Sequence, residues 1–382
     1  DLFVWDYMEF DLANKPQKIS GRINNVGFVE INTVAISDDG RWVAAGHMDG
    51  SISLWDLTSE DSWNHPQRLH YRDSIPISLD FSLDGQKLAV TKTASTIEIW
   101  RTDDTNLNQP ERLIEADNAP LIARFDPLGR WLAVAGGDIS KIRQRCDIYL
   151  YDLSNPSIEP IVIEGHDNTI FHIAFSPDGK WMASSSGTYL GYIEGVNYAV
   201  GIFNLETQDG WIDDVHQSVI ADLEFSPDSR WLASASSDYT INLWDFKNKT
   251  PEKDRISLHG HYVGVNKIEF TRDSKNLISI GQDQQVLLWN IDRIGESGDT
   301  GVMSILGYMD NTSIALDVDS ASNRVVVGTM GLQKPNYLYF FPISSKELVR
   351  AACIVSGRNL TDSEWSLYFP DKQYTRFCSN GE

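Results

Sequence analysis

The sequence predicts an all-β protein, a seven-bladed β-propeller over residues 1–343 followed by a short helical tail over 344–382 packed on the propeller. Three observations predict it. An aromatic residue followed by a polar one recurs as Val4-Trp5-Asp6, Leu54-Trp55-Asp56, Ile99-Trp100-Arg101, Leu150-Tyr151-Asp152, Ile202-Phe203-Asn204, Leu243-Trp244-Asp245 and Leu288-Trp289-Asn290, with a degraded copy at Phe340-Phe341-Pro342. The steps are about 40 to 52 residues, the period of one four-stranded propeller blade. Between these marks the pattern alternates apolar with polar, and helical spacing appears only after Ile343.

Each unit opens on an alternating segment, such as Ile170-Phe171-His172-Ile173-Ala174-Phe175, as a strand with two unlike faces requires. A turn follows, Ser176-Pro177-Asp178-Gly179 in this unit. It recurs as Ser37-Asp38-Asp39-Gly40, Ser82-Leu83-Asp84-Gly85, Asp126-Pro127-Leu128-Gly129, Ser226-Pro227-Asp228-Ser229 and Thr271-Arg272-Asp273-Ser274. The next strand opens on a base and Trp at Arg41-Trp42, Arg130-Trp131, Lys180-Trp181 and Arg230-Trp231. The strand with the marking aromatic comes third, and a shorter, more polar strand such as Ile256-Ser257-Leu258 closes the unit. Such strands cannot bury both faces alone, and radial stacking of the sheets does so. The last unit supplies three strands, 314–318, 324–328 and 337–341, and residues 17–20 are the expected donor of its missing outer strand. That leaves 2–5 as a surplus strand, which either belongs with the rest of residues 1–7 to a preceding blade, the favoured reading, or pads the closure.

These repeats resemble the WD40 family over about nine tenths of the chain. The resemblance implies a buried network in each full unit: a His before the first strand, an Asp in the last tight turn, a Ser or Thr and the Trp. Two units match it, with His216, Ser234, Asp238 and Trp244, and with His261, Ser279, Asp283 and Trp289. The unit with His166 keeps the histidine but has Phe203 and no matching Asp. The unit with Asp49 and Trp55 lacks the early His, since His47 falls in its second strand. Because the His–Asp–Ser set repeats, it reads as structural rather than as a catalytic triad, which is a single constellation. No Cys/His spacing of a zinc site surrounds either histidine. No catalytic residue, cofactor or metal is therefore expected.

The tail opens on Ser344-Ser345-Lys346-Glu347, with capping-box spacing, and places Leu348, Ala351, Ala352 and Val355 on one helical side. A second box, Thr361-Asp362-Ser363-Glu364, precedes Trp365 and Phe369. The wording Leu348-Val349-Arg350-Ala351-Ala352-Cys353, Gly357-Arg358-Asn359-Leu360-Thr361 and Glu364-Trp365 is similar to the C-terminal tails of large bacterial multidomain proteins that end in WD repeats. Their N-terminal parts are STAND NTPases, caspase-like peptidases, TIR domains or kinases. The resemblance implies a sensor or regulatory propeller of a signalling or defence protein.

The formal net charge is −22. That disfavours nucleic acid, whose phosphates require Lys and Arg, and it reads as solubility or as preference for a basic partner. Three cysteines, Cys146, Cys353 and Cys378, make no disulfide framework, and neither a leader nor an apolar run long enough for a membrane helix is visible. A cytoplasmic setting is the expectation. The expected partner is a protein ligand or another domain of the parent protein.

Two neighbouring units have enlarged turns between their second and third strands, at 136–146 with Lys141, Arg143 and Arg145, and at 187–198 with Tyr189, Tyr192 and Tyr198. Turns of adjacent units emerge on one face, so these six residues form the candidate partner-binding patch, of residue types enriched at interface hot spots. The loop 330–336 and Trp63 are weaker candidates. The functional expectation is a non-catalytic protein-interaction module. Its rivals are a structural or oligomerising scaffold and, less favoured, a hydrolase using carboxylates around the channel.

Overall fold

The structure is a computed structural model that describes residues 2–4, 17–19, 31–58, 66–69, 74–103, 109–116, 119–188, 193–247, 255–297, 303–309, 312–319, 324–330 and 338–342. Six four-stranded antiparallel sheets follow one another in chain order, within 31–69, 76–115, 120–166, 169–216, 220–259 and 265–308. A seventh sheet has three strands, Thr312–Asp319, Arg324–Met330 and Leu338–Pro342. In every sheet the strands are hydrogen-bonded in sequence order, and the first strands of successive sheets lie side by side. The same bulge recurs near the start of all seven first strands, for example between Ile31 and Thr33, Val265 and Lys267, and Ser313 and Ala315. Such a bulge bends a strand and increases its twist.

The core lies between sheets. Trp231, Ala233, Ala235, Ile241 and Leu243 of the fifth sheet meet Ile268, Phe270, Leu277, Leu287 and Trp289 of the sixth. Second strands such as Trp42–His47, Trp131–Gly136 and Trp231–Ser236 are buried at every residue because neighbours cover both faces, whereas the fourth strands are largely solvated.

The recurring acid after the marking aromatic has a visible task. Asp56, Asp152 and Asp245 each accept from the Arg that opens the neighbouring second strand, Arg41 at 2.8 Å, Arg130 at 3.3 Å and Arg230 at 2.9 Å. Each guanidinium also lies over the adjoining Trp42, Trp131 or Trp231 ring, 4.8, 4.4 and 4.8 Å from its centre. Where Asn204 and Asn290 replace the acid, the base is Lys180 or Lys275.

Two features differ from expectation. Gln17–Ile19, the expected outer strand of the last sheet, pairs with Leu2–Val4, and among the described residues nothing pairs with the free edge of Leu338–Pro342. The two N-terminal strands are close in sequence, so pairing them closes a short loop rather than one spanning the whole chain. The sixth sheet's third strand also runs into a helix, Ile291–Ser297, whose Asn290 side chain accepts from the Arg293 N–H at 3.0 Å. The Asn cap and Asp292 in the first turn are its sequence signals. The tail 344–382, with Cys353 and Cys378, lies outside the described residues.

Candidate interaction face

The turns between second and third strands, and the connections from each fourth strand to the next first strand, come to one face of the array. Under that face sit the polar networks. In the sixth sheet His261 Nδ1 is 2.8 Å from Asp283 Oδ2, His261 Nε2 is 2.7 Å from Ser279 Oγ, and Trp289 Nε1 donates to Ser279 Oγ at 2.9 Å. The fifth sheet repeats His216–Asp238 at 2.9 Å and His216–Ser234 at 2.7 Å, but the buried Trp244 Nε1 has no partner. Asn242, where the sixth sheet has Leu287, comes within 3.2 Å of His216 Nε2. Burial raises Asp238 and Asp283, but the histidine and backbone N–H groups outweigh it and hold both carboxyls below their ordinary range.

In the fourth sheet His166 Nε2 meets Ser184 Oγ at 2.7 Å while its Nδ1 has no partner, and burial lowers its pKa to about 4. Asp49 does not reach a histidine before the first strand. It accepts from the N–H and hydroxyl of Ser51 at 3.0 and 2.6 Å. The first two sheets fill the same buried space from the end of the second strand. His47 Nε2 meets Ser53 Oγ at 2.8 Å, and Lys92 pairs with Glu98 at 3.0 Å, both fully buried, while Trp100 Nε1 donates to Glu98 at 3.0 Å. Sequence reasoning missed these substitutes. Their signal is a polar residue two before the tryptophan, Ser53 or Glu98, facing a polar strand end, His47 or Lys92.

The enlarged turn of the third sheet presents Ile139 and Ile142, 57% and 47% exposed, among its three bases. Lys141 pairs with Asp138 at 3.0 Å, and Arg145 pairs with Asp147 at 3.2 Å and with Glu164. Arg143 bridges to the fourth sheet: its Nε donates to Gly195 O at 3.0 Å and its N–H to Asn168 Oδ1 at 3.0 Å. Tyr198 departs from the expected patch. It is 1% exposed, in the core between the fourth and fifth sheets, with its hydroxyl accepting from Ile193 N–H at 3.2 Å. Its position in the third strand, in the tight space beside Gly187, turns it inward. Tyr189 and Tyr192, Trp63 and the loop after Met330 lie outside the described residues.

Titratable groups also converge where the first strands meet. Asp80 accepts the Phe125 N–H at 2.8 Å, Asp222 the Ile268 N–H at 3.0 Å, and Glu224 the Phe270 N–H at 3.2 Å, so each carboxylate satisfies a backbone donor of the next sheet. Arg124 and Lys267 lie 3.5 and 3.1 Å from Asp80 and Asp222. Burial raises Asp80 to about 6 and, with Asp317 and Asp222 nearby, Glu269 to about 8; burial lowers His172 to about 4. Among the described residues no group of His, Cys, Asp or Glu is arranged to hold a metal ion, and no helix is long and apolar enough to cross a membrane.

Comparison with known proteins agrees with this geometry. The family described as WD domain, G-beta repeat matches residues 25–56, 159–189, 212–245 and 252–290. The chain is 32% identical over 107 residues to a Drosophila melanogaster protein LST8 homolog, covering 27% of this chain and 32% of that protein. It is 35% identical over 95 residues to the Danio rerio apoptotic protease-activating factor 1, covering 23% of this chain and 7% of that protein. It is 34% identical over 61 residues to the Xenopus laevis DDB1- and CUL4-associated factor 10, covering 16% and 13%. The chain thus spans a third or less of the relatives it matches. Four segments of the chain thus match the WD40 repeat, and its six four-stranded antiparallel sheets are consistent with a WD-repeat propeller.

Proposed function

We propose that this chain is a non-catalytic protein-interaction propeller of seven blades, acting as the sensor or regulatory part of a larger, cytoplasmic signalling or defence protein of bacterial type. The observation that carries the interaction reading is the loop of the third sheet: two exposed isoleucines and three bases on a rigid array, on a face where the first, second, fifth and sixth sheets have short turns. Arg143 is the residue expected to matter most, because its backbone and guanidinium are fixed by Asn168 and Gly195. The wording of residues 348–365 and the small share of the protease-activating factor that the matching segment covers support a larger parent. The partner is a protein ligand or a domain of that parent rather than nucleic acid or membrane. The titratable groups at the inner edge read as strand staples, since three of the carboxylates accept backbone N–H groups of the next sheet.

Seven blades are supported by the shared bulge of the seventh first strand and by an uncovered face on the first sheet. Val34 and Ile36 are 52% and 62% exposed, whereas Leu79, Leu223 and Ile268, and Phe125, Phe225 and Phe270, at the same two positions, are buried. The experiment for the interaction reading is affinity capture with the intact chain and with an Ile142→Asp/Arg143→Glu variant. Selective loss of a specific partner from the variant is the expected result, and equal recovery by both overturns the assignment of this surface. Turnover of a hydrolysable substrate that is lost in Glu224→Gln overturns the non-catalytic reading.

A further inference from the structure

The two sheets with His–Asp networks carry a second surface, distinct from the third-sheet loop. Tyr239, Tyr262 and Tyr308 are 51%, 63% and 63% exposed. Tyr239 sits in the tight turn of the fifth sheet with φ +79°. The equivalent turns hold Gly50, Ser95 and Gln284 at the same left-handed position, so a bulky aromatic there is the costliest choice. The connection bearing Tyr262 packs on that turn, since a Cβ on Gly264 would lie 3.1 Å from Ser237 Cα. Tyr262 is fixed by its N–H to Asp283 Oδ2 and its hydroxyl to the Asp283 carbonyl, both 3.2 Å. Tyr308 pairs across strands with Gln285, two residues beyond Asp283. The three rings therefore follow one another across the tops of adjoining sheets.

The segments that build this surface, 215–219, 237–240, 259–264, 282–285 and 308–309, contain two acids, Asp238 and Asp283, and no Lys or Arg. Asp238 adjoins Tyr239 in the turn and Asp283 holds Tyr262, in a chain of net charge −22. We infer that Tyr239, Tyr262 and Tyr308 form a docking surface for a Lys- or Arg-bearing segment of a protein partner, whose cationic heads stack on the rings near the half-buried Asp238 and the buried Asp283. The networks hold the turns that display the rings: Asp238 accepts from Thr240 N–H and Gln217 N–H at 3.0 and 2.9 Å, and Asp283 from Tyr262 N–H. The strain at Tyr239 is retained because its ring serves the surface rather than the fold.

The test measures fluorescence anisotropy of three labelled ten-residue peptides, alternating Gly with Arg, with Glu or with Pro, against the intact chain and the variants Tyr239→Gly, Tyr262→Ala and Tyr308→Ala. The Arg peptide is expected to bind, to weaken with salt, and to lose at least about tenfold in affinity when Tyr239 and Tyr262 are replaced together. Tyr239→Gly alone is expected to raise the Tm while lowering affinity, a combination that mere loss of folding cannot produce. Unchanged affinity in the tyrosine variants overturns the proposal, because the net charge alone then attracts the peptide. Preference for the Glu or Pro peptide, a lower Tm in Tyr239→Gly, or burial of the tyrosines in a dimer of this chain overturns it too. Ile142→Asp/Arg143→Glu is expected to leave the peptide affinity intact, which separates this surface from the loop of the third sheet.

Discussion

Trp289 and Trp244 occupy the same place in successive sheets, both fully buried, yet only the Trp289 indole N–H has an acceptor. A tryptophan-to-phenylalanine change removes that N–H along with some packing area. At Trp289 it also leaves Ser279 without a donor, whereas at Trp244 it removes a buried donor that is already unpaired. We therefore expect Trp289→Phe to destabilise by about 1–2 kcal/mol more than Trp244→Phe in urea unfolding. Equal losses would show that the Ser279 bond carries no net weight. Glu269 makes a second prediction at this scale. Burial, Asp317 and Asp222 raise its pKa to about 8, with Lys267 opposing. The folded state then binds a proton that the unfolded chain has released above its ordinary carboxyl pKa. This contribution is present in full below about pH 4.5 and is lost as pH rises through about 8. Glu269→Gln should flatten that slope and stabilise the protein at pH 8.5 by on the order of 2 kcal/mol, read as denaturation midpoints across pH 5–9.

The turns between first and second strands form the most regular element. Ser37, Ser82, Ser176, Ser226 and Thr271 each donate to the Asp two residues on, and each accepts the N–H five residues on. The fourth turn position is left-handed: Gly40, Gly85, Gly129 and Gly179 take it freely, whereas Ser229 and Ser274 take it at φ +61° and +57°. Their hydroxyls accept the N–H of Asp178 and Asp228 in the preceding sheet, both at 3.0 Å, which offsets the strain. Ser229→Ala keeps the strain and loses the bond, so it should cost about 1 kcal/mol. Ser229→Gly loses both and should be close to neutral, a contrast visible in thermal melts. These turns were legible because Ser-x-Asp-Gly is local chemistry at a fixed spacing. The Ile291–Ser297 helix was missed because a seven-residue element carries too little periodicity, although Asn290 marks its start. The inward placement of Tyr198 was missed because an aromatic in an enlarged turn reads alike whether it faces solvent or the neighbouring sheet. The substitute pairs His47–Ser53 and Lys92–Glu98 were missed because their members are matched by strand register, not by distance along the chain.

At the scale of the whole molecule the inner-edge carboxylates point to what covers the first sheet. The acid one residue before the end of a first strand accepts the N–H of the last residue in the next first strand, as Asp80 does for Phe125 and Glu224 for Phe270. By register Asp317 is the counterpart in the seventh sheet, four residues past Ser313 where the bulge starts, as Asp80 is four past Pro76, and Ile36, next to the exposed face of Val34, stands at the receiving position in the first. In a closed seven-bladed ring Asp317 therefore holds the Ile36 amide, and the seventh sheet buries Val34 and Ile36. Site-resolved amide hydrogen exchange separates the alternatives. Closure predicts that the Ile36 amide exchanges as slowly as that of Phe125, and that Asp317→Ala accelerates it by about tenfold or more while Asp317→Asn, which keeps an acceptor oxygen, does so less. Removal of residues 1–20 should leave Ile36 protected if the seventh sheet covers it and expose it if the pair Leu2–Val4 and Gln17–Ile19 does. An Ile36 amide that exchanges in the intact chain as fast as a free strand edge means that the ring is not closed at this seam. A partner with its own strand or apolar face then completes it.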